Sequence, residues 1–564
     1  MATLTTNLFH GTGEGDLALD VVEGHWPADM EGAVFIVGPD KRAPGGHWFG
    51  EHGIVHRIDC TPRVDGRIAT RARRVATPVE RLRRRFPRLF KRWQFVEVSP
   101  FGVTNLANTN VQAIDGRLFI GYDAGRPVEI DPETLEYLTP VGANDEWEQA
   151  SPAVLEPLVS VAAHPAPAFD ERALYFVNYS PLPGGARCLA RWGLTGPIER
   201  WPLDGMGEFD SIHDIKATRD HLVICDLPFV MDPATFKGGE RTIRNQLFTR
   251  LWIVKKADLR ATPPGTPVAV TEVQIPFPTG HLSVDHDNPA GRVVVNLEHI
   301  PLADLMISIG ADTVDHRNGE RIDGEYEGMI ATAVQPGAVG RYVIDDATGE
   351  VLDGDVAWDE RFWGAVLATK DESTPEARAH VRELWYAGCG FDPDLVPEDW
   401  WRLYHDAPSD AALVPPDELP STFRPGALAH FDLESMKVTE VYEFADGAFP
   451  SPPTFVPRTG GEPGDGYVVV LVHRDGDKEV QVFDAHDLGR GPLARATAPG
   501  FNPNLLLHSC WMPPRPGARP SSYRVPVRRD VVGAVRAIPS VLRDLAAMGK
   551  EVRRQAAAPA AAAR

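Results

Sequence analysis

The chain carries eighteen histidines, a side chain that changes charge near neutral pH and binds transition metals through either ring nitrogen. Four of them, His164, His213, His281 and His508, stand apart because each lies at or beside the edge of a β-type run, within its own short motif. They are separated by 49, 68 and 227 residues. Such spacing excludes a helix-borne site of the HExxH kind, in which both ligands come from one turn. It suits an axis on which strands from distant parts of the chain converge.

The elements needed to position them are strands. Short runs rich in Val, Ile, Phe and Tyr recur at 32–38, 117–123, 173–180, 221–228, 250–256, 292–300, 340–345, 427–433, 437–444 and 466–474. Turn residues separate them, as expected for an antiparallel all-β protein. Gly and Pro, 51 of each, are dispersed between these runs with no collagen-like period. Long regular helical stretches are few. The 564 residues exceed the usual size of one domain, so a single domain requires an architecture that grows by repetition, although no repeat signature recurs at a fixed period.

Composition removes several function classes. A net charge of −22 argues against broad nucleic-acid binding, which needs clustered Lys and Arg. The five cysteines are scattered and form no CxxC pair, so neither a disulfide framework nor a thiolate zinc site is expected, and a reducing cytoplasm fits best. The N-terminal MATLTTNLFHGTGEGD lacks the features of a secretory signal, and no run of about 18 apolar residues occurs. The expectation is a cytoplasmic protein, at most peripheral to a membrane.

Two segments break the strand pattern. Residues 71–92 combine a dense Arg run with Phe86, Leu89 and Phe90, a composition that makes either a solvated face or a basic apolar surface. Residues 526–554 read as a basic amphipathic helix followed by an Ala-rich tail.

The motifs around the four histidines resemble those of the carotenoid cleavage oxygenases, the family that includes the retinal pigment epithelial membrane protein and lignostilbene dioxygenases. VAAHPAPAFDERALYFVNY (161–179) looks like the family's segment for the first iron ligand, and FDSIHDIKATRDHLVICDLP (209–228) like the second. TGHLSVDHDNPAGRVVVNL (279–297) is similar to the third, and FNPNLLLHSCWMP (501–513) to the fourth. Further matches run from WPADMEGAVFIVGP (26–39) to VQVFDAHDLGRGPLARATAPG (480–500), so the resemblance covers roughly residues 20–515. It implies an all-β, seven-bladed β-propeller with a helical and loop cap over an axial metal. An arm at 1–20 precedes the propeller, cap insertions fall near 71–95 and 365–425, and a C-terminal extension covers 516–564.

The resemblance also implies that His164, His213, His281 and His508 hold Fe(II), with His286 and His299 as rivals of His281. Four neutral imidazoles on a six-coordinate metal leave two positions for O2, solvent or substrate. The implied reaction is oxidative cleavage of a C=C bond by O2 to two carbonyl products, on a carotenoid, apocarotenoid or phenolic stilbene. An iron protein with another reaction, or a propeller that binds lipophiles without catalysis, are the alternatives.

The family orients its histidines through three glutamates, and here none of the three matches as Glu. The first falls on Asp123, the second near Gly364 and the third on Pro452, which offers no side-chain acceptor. Asp123 is expected to hydrogen-bond His213. Asp285, Asp287, Glu298 and Glu360 are candidates for the missing carboxylates.

Overall fold

The computed structural model describes residues 4–93, 95–180, 184–230, 246–330, 334–445, 447–515 and 520–532. All ten runs read as strands from the sequence contain strands, from Ala33–Pro39 to Gly466–His473. The most apolar are central strands: every residue of His221–Asp226 and of Gly466–His473 is buried, because both faces of such a strand are covered. Helices are short. The longest among the described residues with both ends defined, Pro78–Arg85 and Glu398–His405, have eight residues each.

The strands form one ten-stranded sheet, four four-stranded sheets, one six-stranded sheet and a small three-stranded one. The ten-stranded sheet joins the two ends of the chain. Gly15–Gly24 pairs along its first half with Ile68–Arg74 and along its second half with Ala494–Thr497, and His508–Met512 pairs with Ala33–Pro39. Pairing early strands to late ones satisfies ladder groups that would otherwise stand at open edges.

The apolar core lies between neighbouring sheets. One cluster joins Val223, Leu251 and Ile275 of one sheet to Leu282, Val295 and Ile344 of the next, and another packs Trp385 and Leu428 against Val470 and Phe483. Trp192 is completely buried in a third cluster, edge-on to Phe119 with ring centroids 5.7 Å apart. Trp192→Ala is expected to cost about 3–5 kcal/mol by denaturant unfolding, the range for removing a buried large aromatic. A cost below about 1 kcal/mol would mean that the sheets do not depend on this contact.

With the apolar surface spent between sheets, polar residues are left on the edge strands. Among these are Asn110–Ile114, Ile212–Ala217, Thr279–Val284 and His508–Met512, each at one end of its sheet. Gly121 brings the chain in close: a Cβ there would lie 1.9 Å from the Ala163 carbonyl oxygen, just before His164.

The Arg-rich segment contains the Pro78–Arg85 helix, capped by Thr77, whose hydroxyl accepts from the Glu80 amide. Phe86 and Leu89 are each 45% exposed beside Arg83–Arg85, whereas Phe90 is buried and leaves that surface. Within 365–425, Ala365–Thr369 and Glu383–Gly388 are sheet strands, and the Glu398–His405 helix buries Trp400, Leu403 and Tyr404 against Trp363 and Phe391. Residues 527–532 begin the C-terminal helix, and the rest of 526–554 lies outside the described residues. No helix among the described residues is long and apolar enough to cross a membrane. All five cysteines are free.

Candidate metal centre

The four histidines meet. One ring nitrogen from each of His164, His213, His281 and His508 lies within 4.8 Å of the other three, although their elements come from four separate sheets. His164 sits just before Ala166–Ala168 and is tied to the next edge strand by its amide, which donates to the His213 carbonyl at 3.1 Å. His213 and His281 each fall at a break in the ladder, between Ile212 and Asp214 and between Thr279 and His281. Such a bulge re-aims a side chain that strict alternation would point elsewhere. His508 opens its strand opposite Val37.

The donor set fits a transition-metal cation. Burial, reinforced by the neighbouring imidazoles, lowers the pKa of His164 and His508 well below the usual histidine value. The Nε2 atoms of these two are 3.1 Å apart. Burial also lowers His281 to about 4, against the pull of Asp214. Several buried, neutral imidazoles aiming lone pairs at one point are expensive without a cation to receive them. The four-histidine group implies a metal site.

Of the rivals, His299 is completely buried and satisfied elsewhere, with Nε2 2.9 Å from the Tyr342 hydroxyl and Nδ1 3.2 Å from Thr279 Oγ1. His286 lies beyond the strand end near Asp287 and outside the group.

Residues 8–513 match the family model of the retinal pigment epithelial membrane protein. The chain belongs to this carotenoid oxygenase family. Among its curated relatives are apocarotenoid-15,15'-oxygenase of Synechocystis, 21% identical over 88% of this chain and 94% of the relative, and resveratrol cleavage oxygenase 1 of Chaetomium globosum, 26% identical over 87% and 84%. The fold is shared with Synechocystis apocarotenoid oxygenase (TM-score 0.62, 17% identity, 90% of this chain and 98% of that one). It is shared equally with Pseudomonas brassicacearum lignostilbene dioxygenase (TM-score 0.61, 20% identity, 90% and 98%). The protein is thus a β-propeller enzyme, an oxidoreductase of the dioxygenase class.

In this oxygenase, two aspartates face the ring nitrogens of the centre. Asp123 holds His213: its two carboxylate oxygens lie 3.0 and 3.1 Å from Nδ1, and Oδ1 also accepts the Ala163 amide at 3.2 Å. Burial alone would depress His213, but the Asp123 carboxylate outweighs it and raises the imidazole's pKa. Asp214 faces His281 Nδ1 at 3.3 Å and is ion-paired with Lys216. Burial raises its carboxyl, and Lys216 and His281 more than offset this, leaving it at about 2.

Asp214 was not among the expected carboxylates. It directly follows His213 in sequence, where strict alternation along a strand points neighbouring side chains to opposite faces. Of the residues that were expected, Asp285 pairs with Arg341, Asp287 with Arg219, and Glu360 receives Trp363 Nε1 on its backbone carbonyl. Glu298 does reach the site. It is the cross-strand partner of His281, accepts the Ala368 amide, and is pushed by burial to about 7.

Two cavities meet at the centre of the oxygenase. One of about 620 Å³ is walled by apolar side chains including Phe49, Phe95, Phe229, Leu305 and Met329, and is bounded by His213, His281 and His508. The other, about 470 Å³, is bounded by His164, His281 and His508 and carries Lys370, Glu372 and Arg378. The same histidines therefore face an apolar chamber on one side and a charged one on the other.

Proposed function

We propose that this enzyme is a non-heme Fe(II) dioxygenase that cleaves one C=C bond of an apocarotenoid, carotenoid or phenolic stilbene with O2, giving two carbonyl products. The observation that carries the reading is the junction of the four-histidine group with the apolar chamber. Its volume lies within the roughly 300–1,000 Å³ typical of small-molecule sites, and its aromatic walls suit a conjugated apolar substrate.

His164, His213, His281 and His508 would hold the iron, which supplies O2 activation at positions the imidazoles leave open. The protein's own contribution is orientation and exclusion. Asp123 and Asp214 accept Nδ1–H of His213 and His281, which keeps Nε2 as the ligating atom. The Phe and Leu side chains of the chamber bind the olefin's apolar body and keep bulk water from it. Glu298, poised to hold or release a proton near pH 7, lies beside His281 where the two cavities meet.

The architecture is read as seven blades around this axis. The reading divides the ten-stranded sheet at Gly15–Gly24, whose two halves pair with different partners, and adds the five sheets of four or six strands. Residues from about 20 to 515 then form one propeller domain in a cytoplasmic enzyme, with Phe86, Leu89 and the adjacent arginines as a surface for contact with an apolar phase.

The test is O2 uptake by iron-loaded protein over a panel of apocarotenoids and hydroxystilbenes, with products analysed by mass spectrometry. The expected result is a pair of aldehydes or ketones whose masses together equal substrate plus O2. A product with an intact carbon skeleton, or no consumption of any olefin, overturns the reading.

A further inference from the structure

Away from the axis, a second group of ligating side chains lies between two sheets. Glu383 opens the Glu383–Gly388 strand, and His430 belongs to its antiparallel neighbour Ala427–Asp432. His430 stands opposite Trp385, two residues beyond Glu383, so all three side chains share one face. His486 comes from the adjoining sheet, just after Glu479–Asp484, and its turn is held by its own amide donating to Asp484 Oδ1 at 3.0 Å. Trp385 fixes the distance between the sheets: its ring stacks on His430 and its Nε1 donates to the Ala485 carbonyl at 2.7 Å.

The separations from the carboxylate to the two imidazoles match a coordination shell, and all three ligand atoms lie within 4.8 Å of one another. Glu383 lies 3.3 Å from His430 Nε2 and 3.1 Å from His486 Nε2. A cation with bonds of about 2.0–2.1 Å in tetrahedral geometry puts its ligands about 3.3 Å apart. Thr439 is placed to select the ligating tautomer of His430. The Thr439 hydroxyl lies 3.2 Å from the His430 carbonyl and 2.9 Å from Nδ1; when it donates to the carbonyl, its oxygen accepts Nδ1–H, the tautomer that leaves the lone pair on Nε2. His430 is more than nine-tenths buried, and that Nε2 makes no hydrogen bond although it is aimed at the carboxylate.

We propose that Glu383, His430 and His486 form a second metal site, separate from the four-histidine centre, which takes a zinc-class divalent cation and ties two neighbouring sheets together. Two imidazoles and one carboxylate are a zinc donor set. His486 is about half exposed, which leaves a coordination position open to water. Thr439 acts as a positioning residue, through His430.

The test adds zinc chloride to tag-free, iron-loaded, full-length protein in competition with a chromophoric chelator, and iron and zinc are counted after desalting. The expected result is one zinc per chain in addition to the iron. His486→Ala, at an exposed position where folding is not at stake, and Glu383→Gln should each lose that zinc while iron content and turnover stay unchanged. Thr439→Val should weaken zinc by about 10-fold or more. Zinc bound at 100 times its Kd should raise the wild-type melting temperature by about 2 °C, and that of His486→Ala not at all. The proposal is overturned if the wild type takes up no extra zinc, if zinc enters only as iron leaves, or if the extra zinc persists in both His486→Ala and Glu383→Gln.

Discussion

Alanine at His164, His213, His281 or His508 is expected to remove iron from the purified protein and abolish turnover, whereas alanine at His286 or His299 leaves iron content near that of the wild type. Each of the four supplies one nitrogen to a group whose members lie within 4.8 Å of one another. Loss of one therefore leaves three imidazoles and a gap. Metal affinity falls with the number and geometry of ligands, and activity falls with the metal.

The comparison with His299 is the stringent part of the experiment. It is completely buried and bonded to Tyr342 and Thr279, so His299→Ala should cost stability, about 1–3 kcal/mol, through unpaired partners, without changing the metal-to-protein ratio of the folded fraction. Metal analysis beside thermal melting separates the two effects. A fully metallated His164→Ala or His213→Ala enzyme would sink the ligand assignment, and metal loss in His299→Ala with retention in His281→Ala would transfer the third ligand.

The second large effect belongs to the aspartates behind His213 and His281. Asp123→Asn and Asp214→Asn keep size but lose charge, and each is expected to reduce iron affinity or turnover about 10–100-fold. The two should differ in stability. Asp123 is partly exposed, and its remaining load is the Ala163 amide, which an Asn oxygen can also accept. Its variant should melt close to the wild type. Asp214 is buried and paired with Lys216, so Asp214→Asn strands a cation and should also lower stability by about 3 kcal/mol.

Asp123→Glu, which keeps the carboxylate, should match or exceed the wild type in iron retention. Unchanged iron content and rate in Asp123→Asn would make Asp123 a turn residue only. An unchanged Asp214→Asn would mean that His281 keeps its tautomer without the carboxylate.

The sequence alone was enough to place ten strands, because runs rich in Val, Ile, Phe and Tyr between Gly, Pro and Asp turns suit the pleated surface of a sheet, both in its middle and, as in Lys437–Glu443, at its edge. It was also enough to nominate four histidines and Asp123, since short motifs around each survive as local patterns. What it left open was every relation across sheets. That His281 and not His299 joins the group depends on a ladder break at Thr279/His281 and on Tyr342 reaching His299 from another strand.

The role of Asp214 was illegible in sequence for the same reason. Alternation points it away from His213, and only a bulge together with the neighbouring sheet brings it to His281. The Glu383, His430 and His486 group was equally invisible, its members 47 and 56 residues apart in sequence. Hydrophobic pattern is a property of each segment and can be read from it. The meeting of side chains from separate sheets is set by how apolar faces pack between those sheets, and that is decided only when the whole ring of sheets closes.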